Sequence, residues 1–178
     1  MTANKCLGNE VPSFYFAEAD INNDGDINVT DVMGIVNIVL GWGWNAMPSM
    51  YETSNGLLVV KTSSKGCSLS LDNSETCTAL QMVVTLPYGS SLKDMSLNGN
   101  SSHQVNFQRI GDNSNQYKVI VWSADGAALG NTDKFLSFRV KGNKDVVISD
   151  ILLTNEEYST FILPDAGKAK SIGDKVHP

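Results

Sequence analysis

The sequence predicts a mainly β protein in which two sheets form a sandwich, preceded by an acidic loop and a single helix. Two observations carry this prediction. From residue 56 onward, short apolar stretches alternate with turn residues and show no helical periodicity. Before them, residues 20–31 are rich in Asp and Asn, and an apolar helical segment follows. We expect two modules, with boundaries at 1–47 for the loop, helix and linker and at 52–178 for the sandwich.

The acidic loop has the spacing of an EF-hand-type calcium site. Oxygen-bearing side chains occupy loop positions 1, 3, 5, 9 and 12, and Gly25 at position 6 permits the sharp turn. Position 7 contributes its backbone carbonyl, and calcium prefers about six to eight oxygen ligands. The alternative interpretation is a polar surface turn without a metal. The predicted ligands of Ca²⁺ are Asp20, Asn22, Asp24, Asp26 through its carbonyl, Asn28 and Asp31.

The segment after the loop is predicted to form a helix over Val29–Leu40. Asn28 is a suitable N-cap, Asp31 falls at the third helical position, and Gly41 is a typical stop. Apart from one narrow polar stripe, the segment is apolar all round. Because so wide an apolar surface is unfavourable in water, we expect burial on two sides, in part against the sandwich of the same chain. The polar stripe consists of Thr30, Gly34, Asn37 and Gly41.

Residues 20–41 together resemble one repeat of a type I dockerin, the calcium module of cellulosome-like assemblies. The resemblance implies that loop positions 10 and 11, here Val29 and Thr30, correspond to the recognition residues of dockerins. A complete dockerin has two such repeats, whereas no second acidic loop occurs in this sequence. The cover for the helix must therefore come from the rest of the chain or from another molecule.

The sandwich is predicted from eight apolar stretches with turn signals between them. In several of them apolar and polar residues alternate, as expected for strands with one buried face. So many strands without a helix signal indicate a β-sandwich. The predicted strands are 57–62, 68–71, 78–86, 104–110, 117–123, 135–141, 146–153 and 159–163.

Within this region, residues 69–73, 79–89 and 135–140 resemble the cohesin family, in which a strand ending in an Asn/Ser-rich turn leads to a long strand and a bend. Cohesins are jelly-roll sandwiches and the binding partners of dockerins. The resemblance therefore implies a cohesin-like jelly-roll β-sandwich and a protein partner of the dockerin or cohesin type. The combination of both modules also resembles surface proteins of gut Bacteroides-type bacteria.

Composition limits the function classes. The net charge is −6, and about −5 of it lies in the first 45 residues. No basic patch is visible along the sequence, which argues against a nucleic-acid partner. No apolar run reaches the length of a membrane span, and no signal peptide is visible. No catalytic motif occurs, and His103, one of two histidines, is expected at a surface or strand edge, so we predict no enzyme.

Cysteines and tryptophans leave alternatives open. Cys67 and Cys77 flank a predicted strand and turn, and they either form a disulfide or remain buried thiols. Cys6 is expected to be an unpaired thiol near a flexible end. Trp42 and Trp44 lie in the linker, where they either pack against their own protein or form a sugar-stacking platform. Trp122 is expected in the core.

These observations favour a non-catalytic, calcium-binding adhesion or scaffolding protein of the dockerin–cohesin type. An extracellular or cell-surface location is expected because calcium is abundant there. The partner is another protein, or the helix docks within its own chain. The alternatives are a carbohydrate-binding module that binds polysaccharide, and an accessory domain of a polysaccharide-degrading enzyme.

Overall fold

The computed structural model describes residues 1–42, 52–53, 56–73, 76–157 and 159–167. Three helices precede the strands in these ranges: α1 (Thr2–Cys6), α2 (Phe16–Ala19) and α3 (Val29–Leu40). The strands that follow are β1 (Glu52–Thr53), β2 (Leu57–Thr62), β3 (Gly66–Asp72), β4 (Cys77–Thr85), β5 (Ser91–Leu97), β6 (His103–Arg109), β7 (Gln116–Ser123), β8 (Leu136–Lys141), β9 (Val147–Asn155), β10 (Thr160–Leu163) and β11 (Ala166–Gly167).

The strands form two sheets that face each other across one core. The seven-stranded sheet has the order β1-β10-β9-β4-β7-β6, with β11 paired to β9, and the four-stranded sheet has the order β2-β3-β8-β5. All pairings are antiparallel except that of β1 with β10. Along the chain, β3, β4, β5 and β6 belong alternately to the two sheets, as in a jelly roll. The predicted fold class, a mainly β jelly-roll sandwich, is confirmed.

The core between the sheets follows the predicted alternation. In β8, Leu136 and Phe138 are buried in the core, while Arg139 on the opposite side of the strand is exposed. In β6, Val105 and Phe107 pack against the same core. Since alternate side chains of a strand point to opposite faces, the alternation predicted for β6 and β8 separates their inner faces from their outer ones.

All eight predicted strands are present, and their ends lie within two residues of the predicted ones. The strand β5 was not predicted. Its pairing with β8 shifts register between Leu92 and Asp94, so its side chains do not alternate regularly. The helix α1 was not predicted either, because a segment of five residues carries no readable period.

The helix α3 lies on the outer face of the seven-stranded sheet. Val29 and Met33 are fully buried and pack with Ala79 of β4 and Ile120 of β7. Cys6 belongs to the same cluster, which thereby joins α1, α3 and the sheet. This apolar cluster is separate from the core between the two sheets.

The orientation of α3 corrects one expectation, that of burial on two sides. The polar stripe faces inward, because Thr30, Gly34 and Asn37 are buried. The last turn is the uncovered part, with Val39 78% exposed. Burial on two sides therefore holds for the first two turns and fails for the end of the helix.

Other expectations about single side chains were confirmed only in part. His103 begins β6, which lies at one edge of the seven-stranded sheet as expected, but its side chain is only 8% exposed. Cys6 is a free thiol as expected, but it is buried, and it donates to Oε1 of Gln81 over 3.0 Å. Trp122 is half-buried beneath α3 on the outer face of its sheet, and its indole donates to Asn106 over 3.0 Å. It is therefore not part of the core between the sheets.

The disulfide alternative is also settled. Cys67 lies in the four-stranded sheet and Cys77 in the seven-stranded one, and both are buried free thiols. Trp44 and His177 lie outside the described residues.

Candidate metal centre and helix interface

The loop between α2 and α3 is folded around the carboxylate of Asp20. One of its oxygens accepts from the backbone N–H of Asp24 over 3.1 Å, and the other accepts from Gly25 over 3.0 Å. Gly25 has a φ of 90°, in the region that favours glycine. The sharp turn predicted at loop position 6 is therefore present.

Three further predicted ligands, Asn22, Asp24 and Asn28, are joined by hydrogen bonds. The amide of Asn22 donates to a carboxylate oxygen of Asp24 over 2.8 Å, and the amide of Asn28 donates to the same oxygen over 3.4 Å. Asn22 and Asn28 are 2% and 3% exposed, which is unusual for amides in a surface loop. Asp26 is exposed, and its backbone N–H donates to Asp24 over 2.9 Å.

The carboxylate of Asp31 ties the end of the loop to its beginning. One oxygen accepts from the backbone N–H of Asn28 over 2.9 Å, which completes a capping box at the start of α3. The other accepts from the backbone N–H of Ile21 over 2.9 Å. Asp31 is fully buried, and burial raises its pKa to about 6 in spite of these two hydrogen bonds. The nearby carboxylates of Asp24 and Asp20 contribute to this rise in the pKa.

The donor set suits a hard cation. It consists of carboxylate, amide and carbonyl oxygens, which are the ligands that calcium prefers. Among the residues that the structure describes, no three Asp, Glu, His or Cys side chains lie as close together as the ligands of one metal ion. A calcium ion here would therefore also need Asn22, Asn28 and the carbonyl of Asp26, and the carboxylates would have to move closer together.

The first turn of α3 is fixed to the sheet by a group of three hydroxyls. Oγ1 of Thr30 lies 2.8 Å from Oγ1 of Thr154 on β9 and 2.8 Å from Oγ1 of Thr160 on β10. All three side chains are fully buried. The predicted loop position 11 is thus in direct contact with the sandwich. Thr154 and Thr160 were not singled out in the sequence, because an outward-facing Thr on a strand does not by itself indicate that a helix packs over it.

Further along α3, the same face carries a buried amide without a partner. Asn37 is fully buried, and neither its Nδ2 nor its Oδ1 atom has a hydrogen-bond partner. A buried polar group of this kind costs about 1–3 kcal/mol. The interface between helix and sheet is therefore well matched at its beginning and poorly matched near its end.

The described part of the linker begins with a tryptophan that lies on a glycine. The ring of Trp42 leaves no room for a side chain at position 126, since a Cβ added to Gly126 would lie 2.5 Å from it. Trp42 nevertheless remains 63% exposed.

Comparisons with known proteins give distant structural likenesses only. No protein-family model and no curated protein matches the chain. One similar solved structure is a non-cellulosomal cohesin from the archaeon Archaeoglobus fulgidus, with 9% identity, a TM-score of 0.46, and coverage of 62% of this chain and 87% of that one.

Two other similar structures come from cohesin–dockerin complexes. A chain of a type I complex from Clostridium thermocellum has 10% identity and a TM-score of 0.45, and the match covers 69% of this chain and 96% of that one. The sixth cohesin of scaffoldin B from Acetivibrio cellulolyticus, in complex with a mutant dockerin, has 11% identity, a TM-score of 0.45, and coverage of 62% and 95%. Among the described residues, no helix is long and apolar enough to cross a membrane.

Proposed function

We propose that this chain is a non-catalytic, calcium-stabilised assembly module that acts outside the cell, and that its loop–helix unit docks on its own sandwich. The loop–helix unit comprises residues 16–42. The observation that carries the proposal is the position of Thr30, whose hydroxyl lies 2.8 Å from those of both Thr154 and Thr160.

The hydroxyl contact lies at a position that the dockerin resemblance marks for recognition. Loop positions 10 and 11, Val29 and Thr30, are both fully buried. Val29 packs with Ala79 and Ile120, and Thr30 forms the polar contact beside them. A surface that a dockerin would offer to a separate partner is directed here at the sandwich of the same chain. This supports an intramolecular version of dockerin-type recognition.

Calcium would act on this interface through the loop. The ion would gather ligands from Asp20 to Asp31, and Asp31 also belongs to the capping box that starts α3. Because metal binding orders the loop, it also fixes the position and direction of the first helical turn. That turn contains Thr30. Calcium therefore favours the docked state without touching the sheet.

Such a sandwich face recognises a helix by two means, a buried apolar cluster and a pair of hydroxyls at one end. The module would serve in adhesion or scaffolding, where an external protein offers a similar helix or where the docked unit itself is part of the assembled surface. The buried, unpaired amide of Asn37 weakens the contact between helix and sheet. A contact weakened in this way suits a module whose helix can exchange with that of another protein.

Disulfide trapping tests the proposal. In the variant T30C/T160C, mild oxidation should form a bond within one chain, because the two hydroxyl oxygens that the thiols replace lie 2.8 Å apart. The matched control is T30C/T132C, since Thr132 is exposed and belongs to the loop before β8. A cross-linked monomer in the first variant alone supports docking within the chain. Cross-linked dimers would indicate docking between chains, and no bond in either would contradict the proposal.

A second candidate function is carbohydrate binding through Trp42. It is favoured by one observation: the indole ring of Trp42 is 63% exposed while it lies against Gly126. Sugars stack on such exposed rings. A glycan array would show a saturable signal that W42A abolishes, whereas pure scaffolding predicts no signal.

A further inference from the structure

The outer face of the four-stranded sheet carries a shallow trough. Its volume is about 490 Å³, within the range of small-ligand sites. Register places Ser68, Ser137 and Ser96 side by side on three neighbouring strands. The adjacent outward row consists of Gly66, Arg139 and Asp94. The floor of the trough is thus made of hydroxyls and backbone.

Apolar atoms make up the larger part of the surface that lines the trough. Phe138 and Met95 are among the lining residues, although their side chains pack against the core between the sheets. The polar groups that the trough offers to a ligand are hydroxyls and backbone, together with the side chains of Lys65, Asp94 and Arg139.

Positive charge is concentrated around this trough. We name as the basic face the side chains of Lys61, Lys65, Lys93, Arg139 and Lys141, all of which are exposed. Among the described residues that line the trough, Asp94 is the only carboxylate, and Arg139 holds it through Nε at 3.0 and 2.8 Å from its two oxygens. This ion pair lowers the pKa of Asp94. The members of the basic face lie between positions 61 and 141, on β2, β5 and β8 and in the turn before β3. They are too far apart in the sequence to be seen as a patch, and only the fold brings them together.

The charge of the loop–helix unit adds to the uneven distribution of charge between the two outer faces of the sandwich. That unit carries most of the net charge of −6 and lies on the outer face of the other sheet. The molecule therefore has an acidic side and a basic side, with the sandwich between them. A negatively charged ligand is drawn to the basic face even though the whole protein is acidic.

We propose that the basic face binds an anionic polysaccharide, recognising its carboxylates with the lysines and its hydroxyls with the row of serines. A protein partner fits less well, because Ser and Lys are depleted in protein interfaces and aromatic side chains are enriched. A hydroxyl-rich polymer with regularly spaced carboxylates matches both features of the trough. This site is independent of the calcium loop and of Trp42.

The test uses the full chain and fluorescently labelled hyaluronan oligosaccharides of about ten sugars, which carry a carboxylate on every second residue. We expect saturable binding that weakens several-fold when salt is raised from about 50 to about 300 mM, since salt screens exposed charges. A dextran oligosaccharide of the same length should not bind. Poly-glutamate should bind more weakly than hyaluronan, and tighter binding of poly-glutamate would overturn the proposal in favour of an acidic polypeptide.

Three variants locate the site. K65Q/K141Q should weaken hyaluronan binding at least tenfold, whereas K5Q/K118Q, with the same loss of charge on the opposite side, should bind as the unchanged protein does. D94N removes the carboxylate of the trough and should tighten binding by roughly threefold. A gain of this kind cannot come from misfolding. Absence of hyaluronan binding, equal losses in the two double variants, or weaker binding by D94N would each overturn the proposal.

Discussion

Thr30 and Thr154 lie 124 positions apart in the chain, yet their hydroxyl oxygens are 2.8 Å apart in a fully buried contact. Thr160 completes the group at the same distance from Thr30. A hydroxyl at this place is satisfied only when the first turn of α3 rests on β9 and β10. The group therefore fixes both the position of the helix and its rotation about its own axis.

Removal of the Thr30 hydroxyl should destabilise the protein. T30V keeps the shape of the side chain but leaves Thr154 and Thr160 without their shared partner, so we expect a loss of about 1–3 kcal/mol in the free energy of unfolding. T30S keeps the hydroxyl and should lose less. Urea denaturation measures both, with T132V at an exposed position as the control. Equal stability of T30V and unchanged protein would show that the contact does not hold the helix.

Replacement of Asn37 should instead stabilise the protein. Both polar atoms of its side chain are buried without a partner, so N37L should raise the free energy of unfolding by about 1–2 kcal/mol. The matched control is N100L. Asn100 is 8% exposed, but its amide donates to Asn131 O over 2.9 Å, and its carbonyl accepts from Asn131 N over 3.2 Å. The same substitution should therefore destabilise there, and destabilisation by N37L would mean that its amide has a role in the folded protein.

Calcium affinity should fall in mild acid. Burial raises the pKa of Asp31 from 3.8 to about 6 in the metal-free protein. Below about pH 4, Asp31 is protonated in both the folded and the unfolded protein, so its burial does not lower the free energy of unfolding. As the pH rises through 6, the ionisation of Asp31 lowers the free energy of unfolding of the metal-free protein. Calcium needs the carboxylate, so at about pH 5 binding must release a proton, and the affinity should be roughly tenfold weaker than at about pH 7.

Titration calorimetry in two buffers of different ionisation enthalpy measures both the affinity and the proton release. D31N should bind calcium weakly and without this dependence on pH. An affinity that stays constant between about pH 5 and pH 7 in the unchanged protein would exclude Asp31 as the titrating ligand.

The thiol of Cys6 should report the docking of the N-terminal segment. It is 1% exposed and donates to Gln81, and burial raises its pKa to about 12. Cys77 lies in the core between the sheets, and burial raises its pKa to about 12 as well. Because the thiolate is the reactive form, neither should react with a thiol reagent in the folded protein near about pH 8.

Chelation of calcium should then speed the labelling of Cys6 and Cys77 together, because calcium stabilises the helix and the sandwich as one unit. Cys6 packs beneath α3, whereas Cys77 becomes accessible only when the sandwich unfolds. Mass spectrometry of the labelled cysteines distinguishes the two, with C6S as the control for assignment. Labelling of Cys6 well before Cys77 would mean that the helix opens independently of the sandwich.

The local features of this protein could be predicted from its sequence, whereas contacts between distant segments could not. Asn28 and Asp31 form the expected capping box, and Gly41 ends α3 with a φ of 76°. These features depend on neighbouring residues. The inward direction of Thr30 depends on two threonines more than 120 positions away. The polar stripe of α3 faces the sheet because the sheet offers hydroxyls at the matching place.

The strand β5 and the basic face were missed for similar reasons. Between Leu92 and Asp94 the register of β5 with β8 shifts, and the regular alternation that marks a strand is lost. The lysines of the basic face stand singly in the sequence, at positions such as Lys61 and Lys141, and only the pairing of strands brings them together. The acidic loop could be interpreted as a calcium site because its candidate ligands are close in sequence, and calcium binding by the loop stays a prediction.

The central claim is that calcium, the loop and the docked helix stabilise the sandwich as one unit, and calorimetric melting with and without calcium tests it most directly. We predict a single transition whose midpoint rises by about 5–10 °C at calcium concentrations near one hundred times the dissociation constant. In D24A, which lacks a central ligand, the midpoint should not respond to calcium. Two separate transitions, of which only the smaller responds to calcium, would contradict the claim, because the loop and helix would then fold independently of the sandwich.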